Sequence, residues 1–366
     1  MPTYASGLSG QVGVISEGGT YGTAVTVTKF FEFLSENFVY VPGFLDGMGL
    51  KSGQAYKRGS RTVVSQIDIN ADLTMEHTDG SAANAVADSM GFWWKQALGS
   101  TLTTPTLVLG TAYKQVHTNG SKAGFSFTSQ VGRPQISGVT VQPFTYTGCK
   151  VTDWEFSCND NQIAQLKVTM DGRNESTAIA LAAASYPTPN GLFSFADATN
   201  FKIGGTATTS AGETTVASGV AVASAVNSIV ITGSTPMKVD RRGFGNAGLK
   251  NEPIENAIPT ITGTLGTEFF SRTEFYDIFK ANTTTVLQLD FSHMDKAGLD
   301  ANGVASGPNP YLLSFIMPAV RFKSAAVNIN GPDIVPQSVG FELYDDGSGT
   351  NPVIQVKLVS KESSAI

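Results

Sequence analysis

The chain reads as a mainly β protein with a few short helices, and three observations carry that reading. Its 366 residues are 41% apolar but only 15% charged, with 39 Gly, which suits short strands joined by tight turns. Runs such as "IDINADLTME" alternate apolar and polar residues with a period of two. Most of these runs are bounded by Gly, Asn, Asp or Pro, the residues that turns and breaks favour. A chain this long accommodates two domains, each large enough to bury a core.

Residues 28–40, "TKFFEFLSENFVY", form one strand or two. The stretch that follows, "VPGFLDGMGLKSGQAYKRGSR", is longer than a plain connection needs, which suggests a function of its own. Ile67, Ile69, Ala71, Leu73 and Met75 then mark one face of a half-buried strand. Residues 79–99 read as one amphipathic helix, capped by Asp79 or Ser81 and stopped at Gly99. Ala82, Val86, Met90, Trp93 and Ala97 share its apolar spacing, and Gly91 is its weak point. Strand-like runs follow in "TPTLVLG", "YKQVHT" and "GFSFTSQVG". Residues 143–173, "PFTYTGCKVTDWEFSCNDNQIAQLKVTMDGR", then read as two strands around a polar turn. A helix laid against a sandwich or barrel of strands is the simplest fit.

Between 174 and 226 the chain becomes rich in Ala, Ser and Thr, with a strand pair "LFSFADATNFKIGG" inside. The expected division is a first domain over 1–185, a connecting strand pair and insertion over 186–226, and a second domain over 227–366. The second part restates the first in order: Gly49-Leu50-Lys51 recurs as Gly248-Leu249-Lys250, and Ile69, Leu73 and Glu76 match Ile261, Leu265 and Glu268. A short helix "SRTEFYDIF" follows, Val286 to Leu289 answers the apolar run Leu107 to Leu109, and the C-terminal hairpin ending "YDDGSG" answers the one ending "VTMDGR".

The chemistry of common active sites is not written in this chain. His77, His117 and His293 lie far apart and read as surface or turn residues, so no metal site is expected. No nucleophile elbow, phosphate loop or dinucleotide fingerprint is found, and Asp345-Asp346-Gly347 is a turn signature. No catalytic residue and no cofactor are therefore expected. Cys149 and Cys158 read as packed thiols. Trp93 and Trp94 are helix neighbours that cannot share one face, so one is expected in the core and the other at a subunit interface. The net charge of −6, without a dense basic cluster, disfavours a grip on nucleic acid. Lys57, Arg58 and Arg61 form the densest basic group, and Arg241-Arg242 holds a comparable place in the second part. Such groups are solvated loops or contact pads for another subunit. Residues 1–10 lack the pattern of a secretory signal, and no apolar run is long enough to cross a membrane as a helix.

The stretch "SQVGRPQISGVTVQPFTYTGCKVTDWEFSCNDNQIAQLKVTMDGRNES" resembles the tail tube, or major tail, proteins of long-tailed bacteriophages. The likeness extends to "GSRTVVSQIDINADLTMEHTDG", "LFSFADATNFKIGG", "LKNEPIENAIPTITGTLGTEF" and "PAVRFKSAAVNINGPDIVPQSVGFELYDDG". It departs at the Asp160-Asn161 turn and at the bulk of Trp93-Trp94.

The resemblance implies two tandem tube-type β-sandwich or barrel domains, each flanked by a helix. Three chains would then close a pseudo-sixfold ring, and rings would stack into a hollow tail that conducts double-stranded DNA. It implies a virion protein assembled in the host cytoplasm, whose partners are itself, the tape measure protein, the tail terminator and tail-tip proteins. The loops 42–61 and 239–257 would reach the next ring, which makes Gly49, Leu50, Lys51, Lys57, Arg58, Arg61, Arg241, Arg242, Gly248, Leu249 and Lys250 stacking candidates. A surface adhesin or carbohydrate-binding sandwich is the alternative, expected to carry a secretion signal and stay monomeric.

Overall fold

The computed structural model describes residues 6–82, 90–102, 106–109, 112–137, 140–186, 191–295, 297–329 and 331–363. The first half holds β1 (Gln11–Ser16), β2 (Lys29–Phe31), β3 (Ser35–Asp46), β4 (Thr62–Glu76) and α1 (Met90–Leu98). It continues through β5 (Gly99–Thr101), β6 (Thr106–Leu109), β7 (Ala112–Asn119), β8 (Phe127–Gln135), β9 (Thr140–Asn159), β10 (Gln165–Gly172) and β11 (Asn174–Ser176). The second half holds β12 (Ala198–Ile203), β13 (Thr206–Ser210), β14 (Glu213–Ala217), β15 (Val220–Ala221), β16 (Val226–Ser234), β17 (Met237–Lys238), β18 (Ile254–Glu255) and β19 (Thr260–Glu268). After α2 (Tyr276–Ala281) come β20 (Thr284–His293), β21 (Tyr311–Val327), β22 (Pro336–Leu343) and β23 (Gln355–Ser360).

Eight strands run side by side in the order β3-β4-β10-β9-β16-β19-β22-β21, every pair antiparallel. Their alternation is clean: Ile69, Ala71, Leu73 and Met75 of β4 are buried, whereas Asn70 is exposed and Asp72 and Thr74 are half-buried. The same pattern places Leu166, Val168, Ile229, Ile231, Leu265, Val339 and Phe341 on the core face. The other face carries Asn37, Asp72, Asp153, Glu155, Lys167, Thr232, Thr262 and Thr264, all exposed or half-buried.

Strands β9 and β21 are long enough to serve two ladders each. The early part of β9 pairs with β8 and its later part with β10 and β16. The early part of β21 pairs with β20 and β23 and its later part with β22. The irregularities fall at matching places. The β8–β9 ladder slips between Phe127 and Ser129, and the β20–β21 ladder between Thr285 and Leu287. Thr152 is the extra residue where β9 meets β10, and Lys323 is the extra residue where β21 meets β22.

Ladder pairing revises two expectations. Val286 to Leu289 lie in β20, which holds on β21 the place that β8 holds on β9, whereas Leu107 to Leu109 lie in β6 beside β7. The two apolar runs therefore hold different places in their ladders. Within the stretch expected as a connector, β12 pairs with β20 and β15, and the β13–β14 hairpin packs back on the body. There Glu213 lies between Lys114 and Lys357, at 2.5 and 3.2 Å.

Helix α1 is the described part of the helix expected over 79–99; residues 83–89, with Val86, lie outside the described residues. Eight of its nine residues are buried, so it has no solvent face of ordinary width. Trp93 packs on Phe31, Phe92 and Phe127, and Trp94 on Trp154 and Phe315. Both indoles are fully buried, which corrects the expectation that one lies at a subunit interface. Gly91 is no weak point either: a methyl there would overlap the Gln115 amide. The expected cap Asp79 instead accepts hydrogen bonds from the Ser81 and Gly191 amides. Helix α2 is short, and Asn282 ends it in the left-handed region at φ 53°.

His77 and His117 are fully buried and His293 is half-buried beside Asp79, so the surface reading of the histidines fails. Cys149 and Cys158 are free, buried thiols on β9.

Candidate assembly interface

The candidate site is a pair of strand edges and the loops beside them. Among the described residues, β3 pairs with no strand but β4, which leaves its outer edge without a partner strand at one end of the eight-stranded row, although at Phe38 the amide donates to Glu36 and the carbonyl accepts from Arg133 and Tyr146 of the same chain. Val39, Tyr40 and Val41 on that edge strand are 42%, 36% and 40% exposed. Past the irregularity at Gly43 and Phe44 the β3–β4 hairpin continues with Phe44, Leu45, Val63 and Val64 each more than half exposed. An open apolar edge of this kind is a template for another strand. At the other end of the row, β21 beyond Arg321 is paired, among the described residues, on one side only, by β22. The signal for the first edge is in the sequence: "FVYVPGFL" runs apolar without the alternation that β4 keeps, a pattern the sequence analysis passed over.

Inside the chain the corresponding edges are joined. β16 pairs with β9 through Ile231 opposite Phe156, Gly233 opposite Trp154 and Ser234 opposite Asp153. The Trp154 indole lies over Gly233, where any Cβ would collide with it. The joint is therefore shaped by one large and one absent side chain.

The two long loops behave differently. The loop between β16 and β19 is seated on the first half of the chain. Arg242 donates to the Asp68 carboxylate at 2.7 Å and to the Ile67 carbonyl at 3.1 Å, and the Ile67 amide donates to the Gly248 carbonyl. Lys250 is fully buried, paired with Asp171 and, at 3.1 Å, with Asp68. Glu252 accepts from the buried Lys150 ammonium at 2.5 Å, and the Arg241 guanidinium donates to the Glu252 carbonyl oxygen at 2.6 Å. Burial raises the Asp171 carboxyl above its ordinary range although Lys250 pulls it down. At Asp68 burial acts upward too, but the hydrogen bonds from Lys250 and Arg242 outweigh it and hold that carboxyl low.

Of the stacking candidates on this loop, Lys250 is buried within its own chain, whereas Arg241, Arg242, Gly248 and Leu249 are half-buried. Phe244 at the loop's tip remains fully exposed.

The loop between β3 and β4 is free. Gly49, Leu50, Lys51 and Lys57 are exposed, as is Arg61, and Arg58 is half-buried. Its contacts are local: Lys57 pairs with Asp46 at 2.8 Å, and Arg58 reaches the Gly49 carbonyl at 3.4 Å. These exposed pairs contribute little to stability, so the loop's charges are available to a partner.

No helix among the described residues is long and apolar enough to cross a membrane. In comparison with known proteins, the model of a family described as "Phage tail tube protein" matches residues 7–343. No curated protein matches the chain.

Proposed function

The chain belongs to the phage tail tube protein family, and from that premise we propose that it self-assembles, closing into rings through its two open sheet edges. As a member of that family it is a structural component of the virion tail. In this reading rings stack into the hollow tube through which double-stranded DNA passes.

The observation that carries the reading is the repeated strand order. The row β3-β4-β10-β9 and the row β16-β19-β22-β21 place strands of the same chain order in the same succession, with irregularities at matching steps. One fold carried twice explains this, with β12 and β15 taking the place of β1 and β2, so the second unit starts at Ala198 instead of 227. The β9–β16 joint then supplies the rule for the joint between chains. In this reading, with Ile69 aligned to Ile261 and Asp171 to Glu342, β3 pairs with β21 of the next chain, Val41 opposite Ser324 and Tyr40 opposite Ala325, and the pairing stops short of Phe38, whose backbone groups bond to Glu36, Arg133 and Tyr146. The bulk is exchanged: where the inner joint has Trp154 against Gly233, the outer one has Ala325 against Tyr40.

Two units per chain make three chains the natural ring. The face of the row opposite the core supports its role as a lumen. Ser, Thr and Asn dominate it, and Asp72, Asp153 and Glu155 outnumber Lys167 there, so phosphates passing by find few cations to bind. The tape measure, tail terminator and tail-tip proteins are its proposed partners, and the host cytoplasm its proposed place of assembly. Native mass measurement of the ring tests the stoichiometry: three chains are expected, and six would overturn it.

A further inference from the structure

The seated loop has a counterpart that is not seated, and its socket is open. Asp171 faces Lys150 on β9 and Asn70 on β4. Glu342 faces Arg321 on β21 and Thr262 on β19. With the irregularities aligned, Glu342 takes the place of Asp171, and Thr260 that of Asp68.

Around Asp171 the loop after β16 fills the space with buried Lys250. Around Glu342 and Thr260 the structure instead has a pocket of about 480 Å³. Its lining includes Glu255, Glu342 and Asp345 and neither Lys nor Arg. Glu342 holds the Tyr344 hydroxyl at 2.6 Å and half-exposed Lys323 at 3.0 Å.

The loop that corresponds to the seated one is residues 47–61, "GMGLKSGQAYKRGSR", with four basic residues and no Asp or Glu. In the shared Gly-Leu-Lys run, Lys51 holds the place of Lys250. Gly53 stands where the seated loop has Glu252, so this loop offers cations only. In its own chain Glu342 lies on the far wall of that pocket, away from this loop. β3 and β22 are six ladder steps apart, roughly 29 Å at about 4.8 Å per step.

We propose that loop 47–61 of one copy seats in the Glu342 pocket of a neighbouring copy, where Lys51 forms the ion pair that Lys250 forms with Asp171. This rests on the ring reading above and deepens it. The loop then locks neighbours within one ring, as its counterpart locks the two halves of one chain. Charge complementarity favours the fit, and like charges in its place oppose it.

Charge reversal of the full-length chain tests the pairing. Lys51→Glu and Glu342→Lys change exposed or half-buried side chains, and circular dichroism checks that each variant keeps its β fold. Each single variant is expected to raise the concentration needed for assembly, read by pelleting and electron microscopy, by roughly tenfold or more. The double variant K51E/E342K is expected to recover most of that loss. Single variants that assemble like the parent, or a double variant no better than the singles, overturn the pairing while the parent's tubes keep the ring reading. A parent chain that forms no rings or tubes under any condition overturns both.

Discussion

The indole Nε1 of Trp94 donates a hydrogen bond to Nε2 of His77 at 3.0 Å, with both side chains fully buried. Nδ1 of the same imidazole lies 2.9 Å from the Thr78 carbonyl and donates to it. The ring is therefore held neutral, one nitrogen accepting and the other donating. Trp94 in turn packs on Trp154 of β9 and Phe315 of β21, so one polar contact anchors a cluster drawn from both halves of the chain.

Acid should weaken the fold through this ring. Burial drives the His77 pKa down to about 4 and the His117 pKa down to about 3, from 6.5. Both are neutral in the native state, whereas the unfolded chain takes up protons below about 6.5. Their effect is absent above that pH and grows as pH falls from 6.5 toward 4. By pH 5 His77 alone costs about 2 kcal/mol. His293 acts the other way: burial lowers its pKa, but the Asp79 carboxylate 3.3 Å from its Nε2 outweighs that and raises it, so its contribution is gained on acidification. Two fully buried rings outweigh one partly exposed ring. Thermal unfolding should show a lower Tm at pH 5 than at pH 7.5, and an unchanged or higher Tm would contradict the neutral, buried assignment.

Gly91→Ala should destabilise the protein even though Ala favours helices over Gly. The added methyl meets the side-chain amide of Gln115, which donates to the Glu362 carboxylate at 3.1 Å. That carboxylate also accepts from the Met90 and Gly91 amides, so the amide has little room to retreat. A loss of about 1–3 kcal/mol is expected from denaturant titration. A gain in stability would show that the helix end and Gln115 are not packed as described.

Charging the open edge should separate folding from assembly. Val39→Lys with Val41→Lys alters side chains that are 42% and 40% exposed in the single chain. Denaturation midpoints should shift little, within about 0.5 kcal/mol per site. Tube formation should be abolished, because inserted lysines repel strand addition. Normal tubes from this variant would remove β3 from the interface.

Much of the fold was legible because it is local. The alternation in β4 predicted its buried face from Ile69 to Met75, with Ile67 half-buried at its start, and the polar turn in residues 143–173 predicted the β9–β10 hairpin. What was not legible depends on distant partners. Nothing near Lys250 announces that it is buried, since its carboxylate partner Asp171 lies 79 residues away. Trp93 and Trp94 were divided between core and subunit interface on the assumption of a two-faced helix, but eight of the nine residues of α1 are buried, and Trp94 packs on strands from both halves. Of the site, the loop 47–61 and its basic group were found by length and composition. The β3 edge was not: "FVYVPGFL" breaks the alternation that β4 keeps, but which side of the strand is left without a partner is decided by the sheet.

The proposed ring depends on β3 of one chain pairing with the end of β21 of the next. Electron microscopy of assembled tubes at a resolution that traces side chains tests it most directly. Threefold rings with six similar lobes are expected, each chain supplying eight strands to the inner wall, and Tyr40 of one chain opposite Ala325 of its neighbour. Sixfold symmetry of whole chains, or chains that meet only through their loops with both edges still open, would contradict it.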